Sequence, residues 1–530
     1  MAVIGRKTDT WGSRFGFIMA AVGSSVGLGN FWRFPYTAGE NGGGAFIIIY
    51  LVCVLVLGLA VLMAEYALGR KTGRSAIGSF EALSEEQGKS SSWVSIGWIG
   101  SFAAFFILTF YVVISAWIVA YIPQAFSGVF GSFSSDVDLL NASIGQSTDS
   151  IKQAVSSIDL AQCSFAQGGV IEQLTKDKTD AAGEIIYNSL GQAVQEPRDY
   201  LTGDVSACKF GSTIGNRGWI GLMLTLFLVA NIFIVARGVK GGIERAATIL
   251  MPAFFVLLLG IVAFGLIAGD AAAAASFLLT PDFSQVGFGT FLAAVGQAFF
   301  SIGVGSCLMI TYGAYLSRDT DIPSASGIVA SADTAVALIA GFAIFPIVFA
   351  FGADPAGGPG LFFVSLPIAF GTMGDIGIIV GGAFFVLALF AAFTSSISLM
   401  EVAVSWLEER QGVTRPGAAI GVGFVLFMIG MAYVFSGTFI DFVDFITGNI
   451  MLPLCALLVA VFCGWIMSRE SMVSEIGEGW VMDAWRFTLR WIVPPALGFI
   501  LVFGTLDSLQ GFDIINLPDF LTVLLGPNES

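Results

Sequence analysis

The sequence predicts an all-α integral membrane protein with about eleven transmembrane helices. Of its 530 residues, 56% are hydrophobic and only 12% are charged, whereas a soluble domain has about 25% charged residues. Apolar runs of about 20 residues, long enough to cross ~30 Å of hydrocarbon, recur along the chain. Two of these runs carry closely similar glycine-rich strings, SVGLGN at 25–30 and SIGVGS at 301–306.

The hydropathy pattern defines eleven spans, several of which exceed 25 residues and must tilt or break. The predicted spans are 12–35, 44–69, 92–125, 218–236, 245–269, 290–316, 325–352, 376–408, 417–435, 440–467 and 484–504. Between them, residues 126–217 form a long polar loop, and glycines and prolines break the apolar segment 355–375, which predicts a re-entrant or lid segment. We therefore expect one membrane domain over residues 1–505, followed by a tail at 506–530 that is too interrupted for a confident twelfth span.

Lysine and arginine are concentrated before span 1 and after spans 2, 4, 6, 8 and 10. Because short cytoplasmic loops carry the excess of positive charge, the N-terminus is predicted to be cytoplasmic, with the long loop and the C-terminus outside. No cleavable signal peptide is expected, since the first eleven residues are mostly polar. These features indicate a multi-pass protein of the cell's inner (plasma) membrane.

Composition also excludes several classes of function. Histidine is absent, so histidine-based metal sites and Ser-His triads are ruled out. The net charge of −15 argues against a nucleic-acid-binding surface. Four of the six cysteines lie in apolar runs, while Cys163 and Cys208 share the long loop, where a disulfide is plausible if that loop faces an oxidising compartment.

The matched strings lie near the middle of spans 1 and 6. Small residues for tight helix packing are one explanation, but two glycines two residues apart cannot both face one neighbour. The strings instead predict an inverted repeat, spans 1–5 (12–269) and 6–10 (290–467), with 484–504 as an extra helix. Each repeat opens with a broken helix, whose half-helix ends attract an anionic group and whose freed carbonyls bind cations at the bilayer midplane. This arrangement is typical of a secondary transporter.

The residues around the first string resemble a known family. The stretch WGSRFGFIMAAVGSSVGLGNFWRFPYTAGENGGGAF is similar to the first span of the neurotransmitter:sodium symporters, whose bacterial prototype is LeuT. Further similar stretches are AEYALGR (64–70), ARGVKGGIER (236–245), AAVGQAFFSIGVG (293–305), ITYGAY (310–315) and FTSSISLMEV (393–402). The resemblance covers roughly residues 10–505 and implies the LeuT fold, a 5+5 inverted repeat with helices 1 and 6 broken, and sodium-coupled uptake.

Two sodium sites follow from the resemblance. The first comprises Ser25, Asn30, Ser301, Asp333 and the carboxylate of the substrate. The second comprises the carbonyls of Gly23, Val26 and Ala391 with the hydroxyls of Thr394 and Ser395. All are oxygen ligands, which suit a hard cation. Taken alone, the hydroxyls of 394–396 could simply bond back to their own helix.

Asp333 departs from the family pattern, which has a neutral asparagine at this position. An aspartate within the membrane is costly and is functional by default. Animal relatives bind chloride nearby, and LeuT has a glutamate where this chain has Ala337. We therefore expect Asp333 to supply the negative charge and transport to need no chloride. The alternative is a buried carboxyl group that stays protonated.

Gly27 indicates what the substrate must carry, because amine transporters of the family have an aspartate there. The resemblance implies that Leu28, Gly29 and Tyr111 hold a substrate carboxylate, and that Ser25, Phe300, Ser301 and Ser395 face its amine. The side-chain pocket is expected to be lined by Ile107, Phe300, Gly303, Ser306, Ser398 and Leu399. The expected substrate is a zwitterion, first a neutral amino acid larger than alanine, with a β- or γ-amino acid as the alternative.

Gates are implied on both sides of this site. Arg33 and Asp444 match the external charged pair, and Tyr111 with Phe300 matches the aromatic lid. On the cytoplasmic side the family pairs an N-terminal arginine with an acid at the end of span 8. Here that acid is Glu409, the base is displaced to Arg6 or Lys7, and Trp11 is expected to pack beneath them. Glu65 in span 2 is expected to hold the broken backbone of span 6.

The predicted mechanism is alternating access, in which spans 1, 2, 6 and 7 rock against the rest of the protein. A channel, a substrate sensor that does not transport and an intramembrane enzyme are the rival functions. The polar groups cluster at one depth, which argues against a channel, and no carboxylate pair lies at the break, which argues against an enzyme. Membrane lipids are the expected surroundings, and both a monomer and a homodimer remain open.

Overall fold

The chain folds into a bundle of long helices, described here from a computed structural model of residues 9–132, 175–177, 195–197, 201–350, 360–436 and 439–511. Within these residues, nine continuous helices are long and apolar enough to cross a membrane. They are Gly44–Thr72 (span 2), Ser91–Phe126 (span 3), Arg217–Val235 (span 4), Val239–Ala268 (span 5), Ile322–Ala350 (span 7), Asp375–Gln411 (span 8), Arg415–Phe435 (span 9), Phe442–Ile466 (span 10) and Trp480–Leu506 (span 11).

Two more spans are broken. Span 1 consists of Arg14–Ser25 (half-helix 1a) and Gly29–Glu40 (half-helix 1b), which are bent by 48°. Span 6 consists of Phe288–Ile302 (half-helix 6a) and Leu308–Ala314 (half-helix 6b). The expected all-helical membrane protein with about eleven spans and breaks in helices 1 and 6 is therefore confirmed.

Shorter elements connect the spans. They are the helices Ala76–Glu86, Leu201–Gly215, Ala271–Leu279, Leu361–Thr372 and Arg469–Ile476, the 3₁₀ turn Phe283–Gln285, and the antiparallel strands Thr175–Asp177 and Gln195–Pro197. The segment predicted as a re-entrant or lid segment is helical from Leu361 to Thr372, which is too short to cross the bilayer.

Several helices contain a π-helical turn, and four of these turns precede a proline. Gly29–Arg33 precedes Pro35, Leu361–Ser365 precedes Pro367, Ile446–Met451 precedes Pro453, and Thr488–Ile492 precedes Pro494. A proline lacks an N–H and its ring clashes with the carbonyl of the preceding turn. A widened turn accommodates both effects, so these helices continue through the proline.

Spans five positions apart in the chain pack against each other, as two repeats of opposite orientation require. Span 3 packs on span 8, span 4 on span 9, and half-helix 1b approaches half-helix 6a. Span 2 packs along half-helix 6b, and span 5 packs on span 7. The two breaks consequently meet at the centre of the bundle.

Most predicted boundaries agree with the structure to within a few residues, and three predictions need comment. Span 1 was expected to end at 35 but continues to Glu40, because the π turn before Pro35 keeps the helix intact. The loop 126–217 contains the helix Leu201–Gly215, whose Ser, Gly and Thr content gave no apolar signal. Cys163 of the predicted Cys163–Cys208 disulfide, the bases Arg6 and Lys7, and residues 512–530 of the tail lie outside the described residues.

Candidate functional site

The helix breaks occur where glycine permits close approach of the backbone. Half-helix 1a ends at Ser25, and a Cβ on Gly27 would lie 2.5 Å from Ser395 Oγ and 3.0 Å from Tyr111 Oη. In span 6, Gly303 and Gly305 adopt φ values of 77° and 83°, which side chains rarely tolerate. The polar backbone freed at both breaks lies in the interior of the protein.

Glu65 stabilises the break in span 6. Its Oε1 accepts a hydrogen bond of 2.6 Å from the backbone N–H of Gly305, and the side chain is completely buried. Span 2 therefore replaces a hydrogen bond that the interrupted helix cannot make. The structure shows the contact that the sequence led us to expect.

Three residues of the first predicted sodium site, Asn30, Ser301 and Asp333, form one buried network. The amide nitrogen of Asn30 donates to Asp333 Oδ1 (2.7 Å) and to Ser301 Oγ (2.9 Å), and the Ser301 hydroxyl donates to Asp333 Oδ2 (2.8 Å). Ser25 Oγ donates to the carbonyl of Ile302 at 3.1 Å, which joins span 1 to the break of span 6. Asp333 and Asn30 are both fully buried.

Additional polar atoms surround this network without a hydrogen-bond partner among the described residues. They are Tyr50 Oη, Thr334 Oγ1 and Gln297 Oε1. The Tyr50 ring stands next to Ser301, Thr334 and Asp333, while the other end of the Gln297 amide donates to the Gly29 carbonyl at 2.7 Å.

The second predicted sodium site brings the end of half-helix 1a against span 8. Ser395 Oγ donates across this boundary to the carbonyls of Ser24 (3.1 Å) and Gly23 (3.4 Å). Thr394 Oγ1 donates back to Phe390 (3.0 Å) and Ala391 (3.2 Å) of its own helix. One hydroxyl thus bridges the two spans, as a shared ion site requires, and the other bonds to its own helix. For Val26, the structure gives only a backbone N–H bonded to Val22.

A cavity lies between the two breaks, with about 50 Å³ of space that the centre of a water molecule can reach. Ten of the predicted substrate residues line it: Ser25, Leu28, Gly29, Ile107, Tyr111, Phe300, Gly303, Ser306, Ser395 and Leu399. Ser301 instead belongs to the Asp333 network. Ser398 accepts a hydrogen bond from Tyr312 (2.6 Å) and donates to the Thr394 carbonyl (2.7 Å), so its hydroxyl is used within the helix packing. Sequence reasoning missed Leu308 and Leu452, whose apolar runs gave no signal for a cavity.

One end of this cavity carries groups suited to a carboxylate. The Tyr111 hydroxyl accepts a hydrogen bond of 3.2 Å from the Leu28 N–H. Both groups lie at the break of span 1, beside Gly27. A hydroxyl and backbone N–H groups at a half-helix end are donors for an anion.

Arg33 and an aromatic ring close the cavity on the side of half-helix 1b. The Arg33 guanidinium lies 4.6 Å from the centre of the Phe300 ring, within cation–π distance. Tyr36 lies within electrostatic range of both Arg33 and Asp444. The predicted external gate residues therefore occupy one region above the cavity.

On the predicted cytoplasmic side, Trp11 covers half-helix 6b. Its ring nitrogen donates to the Tyr312 carbonyl at 3.2 Å, and its backbone N–H donates to the Tyr315 carbonyl at 3.2 Å. The start of half-helix 1a is held by Glu244 of span 5, which accepts from the Gly12 N–H (2.6 Å) and the Ser13 hydroxyl (3.0 Å). Sequence reasoning missed Glu244, although a carboxylate beside arginine and lysine at a span boundary offered a signal.

Glu409 has a partner that the sequence did not indicate. Its carboxylate accepts a hydrogen bond of 2.7 Å from the Ser75 N–H, at the start of the helix Ala76–Glu86. The first N–H groups of a helix have no partner within the helix, so the Glu409 carboxylate can accept a hydrogen bond there. A second charged cluster lies beside the N-terminal segment. At its centre, Arg415 pairs with the buried Glu401 and lies 3.3 Å from Glu408 and 3.7 Å from Asp9.

Glu401 also accepts a hydrogen bond of 2.7 Å from the Tyr315 hydroxyl at the end of half-helix 6b. The Arg415 cluster thus joins span 8, span 9, half-helix 6b and the segment before half-helix 1a. Glu401 and Glu408 are seven residues apart on one helix, so they share a face. That spacing was the signal available in the sequence.

Comparison with known proteins gives one consistent result. The model of the Sodium:neurotransmitter symporter family matches residues 8–517. The protein named "Uncharacterized sodium-dependent transporter YhdH" of Bacillus subtilis (strain 168) is 31% identical over 528 residues, 96% of this chain and 99% of its own length. The Sodium-dependent nutrient amino acid transporter 1 of Drosophila melanogaster is 25% identical over 94% of this chain and 77% of its own.

A solved structure is similar over nearly the whole chain. The crystal structure of MhsT in complex with L-phenylalanine has a TM-score of 0.74 and 35% sequence identity. The match covers 94% of this chain and 99% of MhsT. At this identity and coverage, the likeness extends to the whole arrangement of spans.

Proposed function

Because this chain belongs to the sodium:neurotransmitter symporter family, we propose that it imports a neutral amino acid with a large apolar side chain, coupled to sodium and by alternating access. Family membership makes it a multi-pass membrane transporter rather than an enzyme, and supports its use of sodium. The observation that carries the proposal is the cavity between the two helix breaks, with the buried Asp333 network at its side.

The lining of the cavity supports the choice of substrate. Away from the break of span 1 it is apolar, with Ile107, Leu308, Leu399 and Leu452. Gly303 adds room, because a Cβ there would meet no atom within 4 Å. Burying a large apolar side chain in such a pocket contributes about 1.5–3 kcal/mol to binding. The L-phenylalanine bound by MhsT is a substrate of this size and chemistry.

The charge pattern supports a substrate that carries its own carboxylate. An acidic side chain at Gly27 would displace Ser395, since even a Cβ would lie 2.5 Å from Ser395 Oγ. The Tyr111 hydroxyl and the amides of Leu28 and Gly29 would hold the carboxylate. A zwitterion thus fits this end of the cavity better than a simple amine does.

We further propose two sodium ions and no chloride. One ion would bind among Ser25, Asn30, Ser301 and Asp333, and a second where Gly23, Val26 and Ala391 meet Thr394 and Ser395. A buried carboxylate at Asp333 already supplies a negative charge, so an added anion is not needed to balance the ions.

Contacts on both sides of the site support alternating access, in which gates open in turn. Phe300 and Arg33 cover it on one side. Trp11, Glu244 and the Arg415 cluster hold half-helix 1a on the other. Release of the second set of contacts would let half-helix 1a move and open a path to the cytoplasm.

The test is uptake of labelled amino acids by the purified protein in proteoliposomes. We expect uptake of L-phenylalanine or L-leucine that requires a sodium gradient and is unchanged when gluconate replaces chloride. The panel includes β-alanine and γ-aminobutyrate, and faster uptake of either would overturn the substrate assignment. Uptake that persists without sodium would overturn the coupling.

A pair of tyrosine variants ties that uptake to the cavity. Tyr111→Phe removes the hydroxyl proposed to bind the carboxylate and should raise KM. Tyr433→Phe is the matched control, because its hydroxyl lies 3.2 Å from Thr109 Oγ1 and outside the cavity. Equal effects of the two substitutions would contradict the proposed position of the substrate.

A further inference from the structure

Two cysteine thiols face each other between the break of span 6 and span 10. Cys307 Sγ lies 3.9 Å from Cys455 Sγ, and both side chains are fully buried. Both thiols also point to the Ile96 carbonyl of span 3, at 3.9 Å from Cys307 and 3.6 Å from Cys455. None of the roles proposed for sodium or for the substrate uses this pair.

The backbone at Cys307 is strained. With a φ of 58°, it is the only non-glycine residue with positive φ among the residues that the structure describes. Glycine would adopt this conformation without a steric penalty. Strain of this kind persists at functional sites, so the presence of a cysteine here calls for a function.

Span 3 leaves a recess for the two thiols at Gly100. A Cβ on Gly100 would lie 2.8 Å from Cys455 Sγ and would also collide with Cys307 Sγ. Any larger residue at 100 would therefore push the thiols out of their present positions.

The pair lies directly behind the substrate cavity. Ser306 and Leu308, the neighbours of Cys307 in the chain, line that cavity, and so does Leu452, which precedes Cys455 by one helical turn. The cavity lining thus includes both chain neighbours of Cys307 and a residue one turn from Cys455.

We propose that Cys307 and Cys455 form a modification site at which a small hydroperoxide generates a disulfide. One thiol loses its proton and attacks the peroxide oxygen; the O–O bond breaks and the leaving oxygen takes up that proton, which gives a sulfenic acid and releases water (or an alcohol). The second thiol then attacks that sulfur, a second water leaves, and the disulfide forms. The two thiols lose two electrons in total, and the hydroperoxide accepts them.

The disulfide covalently joins the break of span 6 to span 10. A disulfide needs a sulfur separation of about 2.05 Å, so the thiols must approach each other, and the non-helical segment 303–307 can supply that movement. The bond then ties a span that moves in alternating access to one that does not. The arrest of transport, though not the modification itself, rests on the proposed function.

The first experiment maps the modification without any need for transport. The purified protein is treated with hydrogen peroxide, its free thiols are blocked, and its peptides are analysed by mass spectrometry. We expect a peptide cross-linked between Cys307 and Cys455 that disappears after treatment with dithiothreitol. Oxidation that leaves these two thiols free, or that takes each to a sulfinic acid without a cross-link, would overturn the proposal.

The second experiment measures the consequence in proteoliposomes. Peroxide should lower the initial rate of sodium-driven uptake by about tenfold or more, and dithiothreitol should restore it, because thiol exchange reopens the bond. Cys455→Ser and Cys307→Gly should both resist peroxide, and the glycine suits the φ of 58°. Cys463→Ser is the matched control, since Cys463 is also fully buried in span 10, and it should stay sensitive.

The outcomes separate the modification site, the arrest of transport and the proposed function. Equal peroxide sensitivity in Cys455→Ser and in the unmodified chain overturns the site. A mapped cross-link with unchanged uptake overturns the arrest alone. A chain that takes up no amino acid before oxidation contradicts the proposed function, and the peptide map then still decides the modification.

Discussion

Asp333 is a carboxylate held between two hydrogen-bond donors, Asn30 and Ser301, in the fully buried centre of the bundle. Among the described residues no lysine or arginine forms an ion pair with it. Burying an uncompensated carboxylate costs several kcal/mol, so a bound cation is the natural source of compensation. At the scale of the residue, the proposed sodium site and the proposed independence of chloride therefore rest on the same side chain.

Asp333→Asn tests this role directly. The variant keeps the hydrogen-bonding shape but loses the negative charge, so uptake in gluconate should fall by about tenfold or more. That factor corresponds to ~1.4 kcal/mol, less than the ~4 kcal/mol between unit charges 4 Å apart at a dielectric constant of 20. The measurement is initial uptake against sodium concentration, with chloride and with gluconate.

An increase of uptake on adding chloride would show that an external anion can replace the carboxylate. Asp375→Asn serves as the control, because Asp375 lies exposed at the start of span 8. If sodium dependence were unchanged in both Asp333→Asn and the control, the assignment of Asp333 to the sodium site would be wrong.

Gly27 lies where the proposed substrate carboxylate would meet the break of span 1. In Gly27→Ala the added methyl group would lie 2.5 Å from Ser395 Oγ and 3.0 Å from Tyr111 Oη. Overpacking of this kind costs about 1–3 kcal/mol, so we expect substrate affinity to fall by roughly tenfold to a hundredfold. Equilibrium binding of labelled substrate to the purified protein measures it.

Gly296→Ala is the comparison for that variant, because a Cβ at Gly296 of half-helix 6a would meet no atom within 4 Å. It should bind substrate as the unmodified chain does. If both variants bound normally, the carboxylate could not lie beside Gly27.

At the scale of the element, half-helix 6b docks on span 2 through glycine contacts. A Cβ on Gly69 would run into the Ile310 carbonyl and lie 2.8 Å from the Ala314 N–H, and one on Gly313 would lie 2.7 Å from the Tyr66 carbonyl. Glu65, one turn before Gly69, holds the break itself. A short helix of seven residues is marginal alone, so this packing determines its position.

Gly69→Ala should therefore destabilise the protein, even though alanine is the better helix former by about 1 kcal/mol. The clash involves backbone atoms, which cannot rotate away, and we expect a loss of about 1–3 kcal/mol. Thermal unfolding in detergent, followed by near-UV circular dichroism, gives the comparison. Gly260→Ala, with nothing within 4 Å of its Cβ, should be neutral or stabilising, and a similar loss in both would exclude the packing explanation.

Elements with a strong periodic or apolar signal were predictable from the sequence, and elements defined by tertiary contact were not. The spans and both breaks follow from hydropathy and from the two glycine strings. The helices Ala76–Glu86 and Arg469–Ile476 are too short and polar to stand out in hydropathy, and contacts with neighbouring elements hold them. Ten cavity residues were predicted, but Leu308 and Leu452 look like any other leucine until the fold brings them to the same cavity.

At the scale of the whole molecule, closure on the predicted cytoplasmic side combines residues from distant parts of the chain. Arg415 meets Glu401, Glu408 and Asp9, while Tyr315 donates to Glu401. Sequence reasoning placed the latch at Glu409 with Arg6 or Lys7, which lie outside the described residues, and in the structure Glu409 accepts a hydrogen bond at the start of the helix Ala76–Glu86. No local pattern relates residue 9 to residue 415, so only the folded chain could indicate the partner.

Arg415→Gln tests whether this cluster keeps half-helix 1a closed. Removing the arginine leaves Glu401 buried and without its ion pair, which costs about 3–5 kcal/mol, and the protein can relieve that cost by opening to water on this side. We expect amide hydrogen exchange to accelerate in residues 11–25 by at least about tenfold, since 1.4 kcal/mol of easier opening gives that factor.

Arg410→Gln is the matched control, because Arg410 pairs with Glu81 at the surface, where both side chains are 40% exposed or more and such pairs contribute about 0–1 kcal/mol. Faster exchange confined to Arg415→Gln, together with weaker substrate retention, would identify the cluster as the lock of the closed state. Equal exchange in the two variants would instead leave Trp11 and Glu244 to hold half-helix 1a.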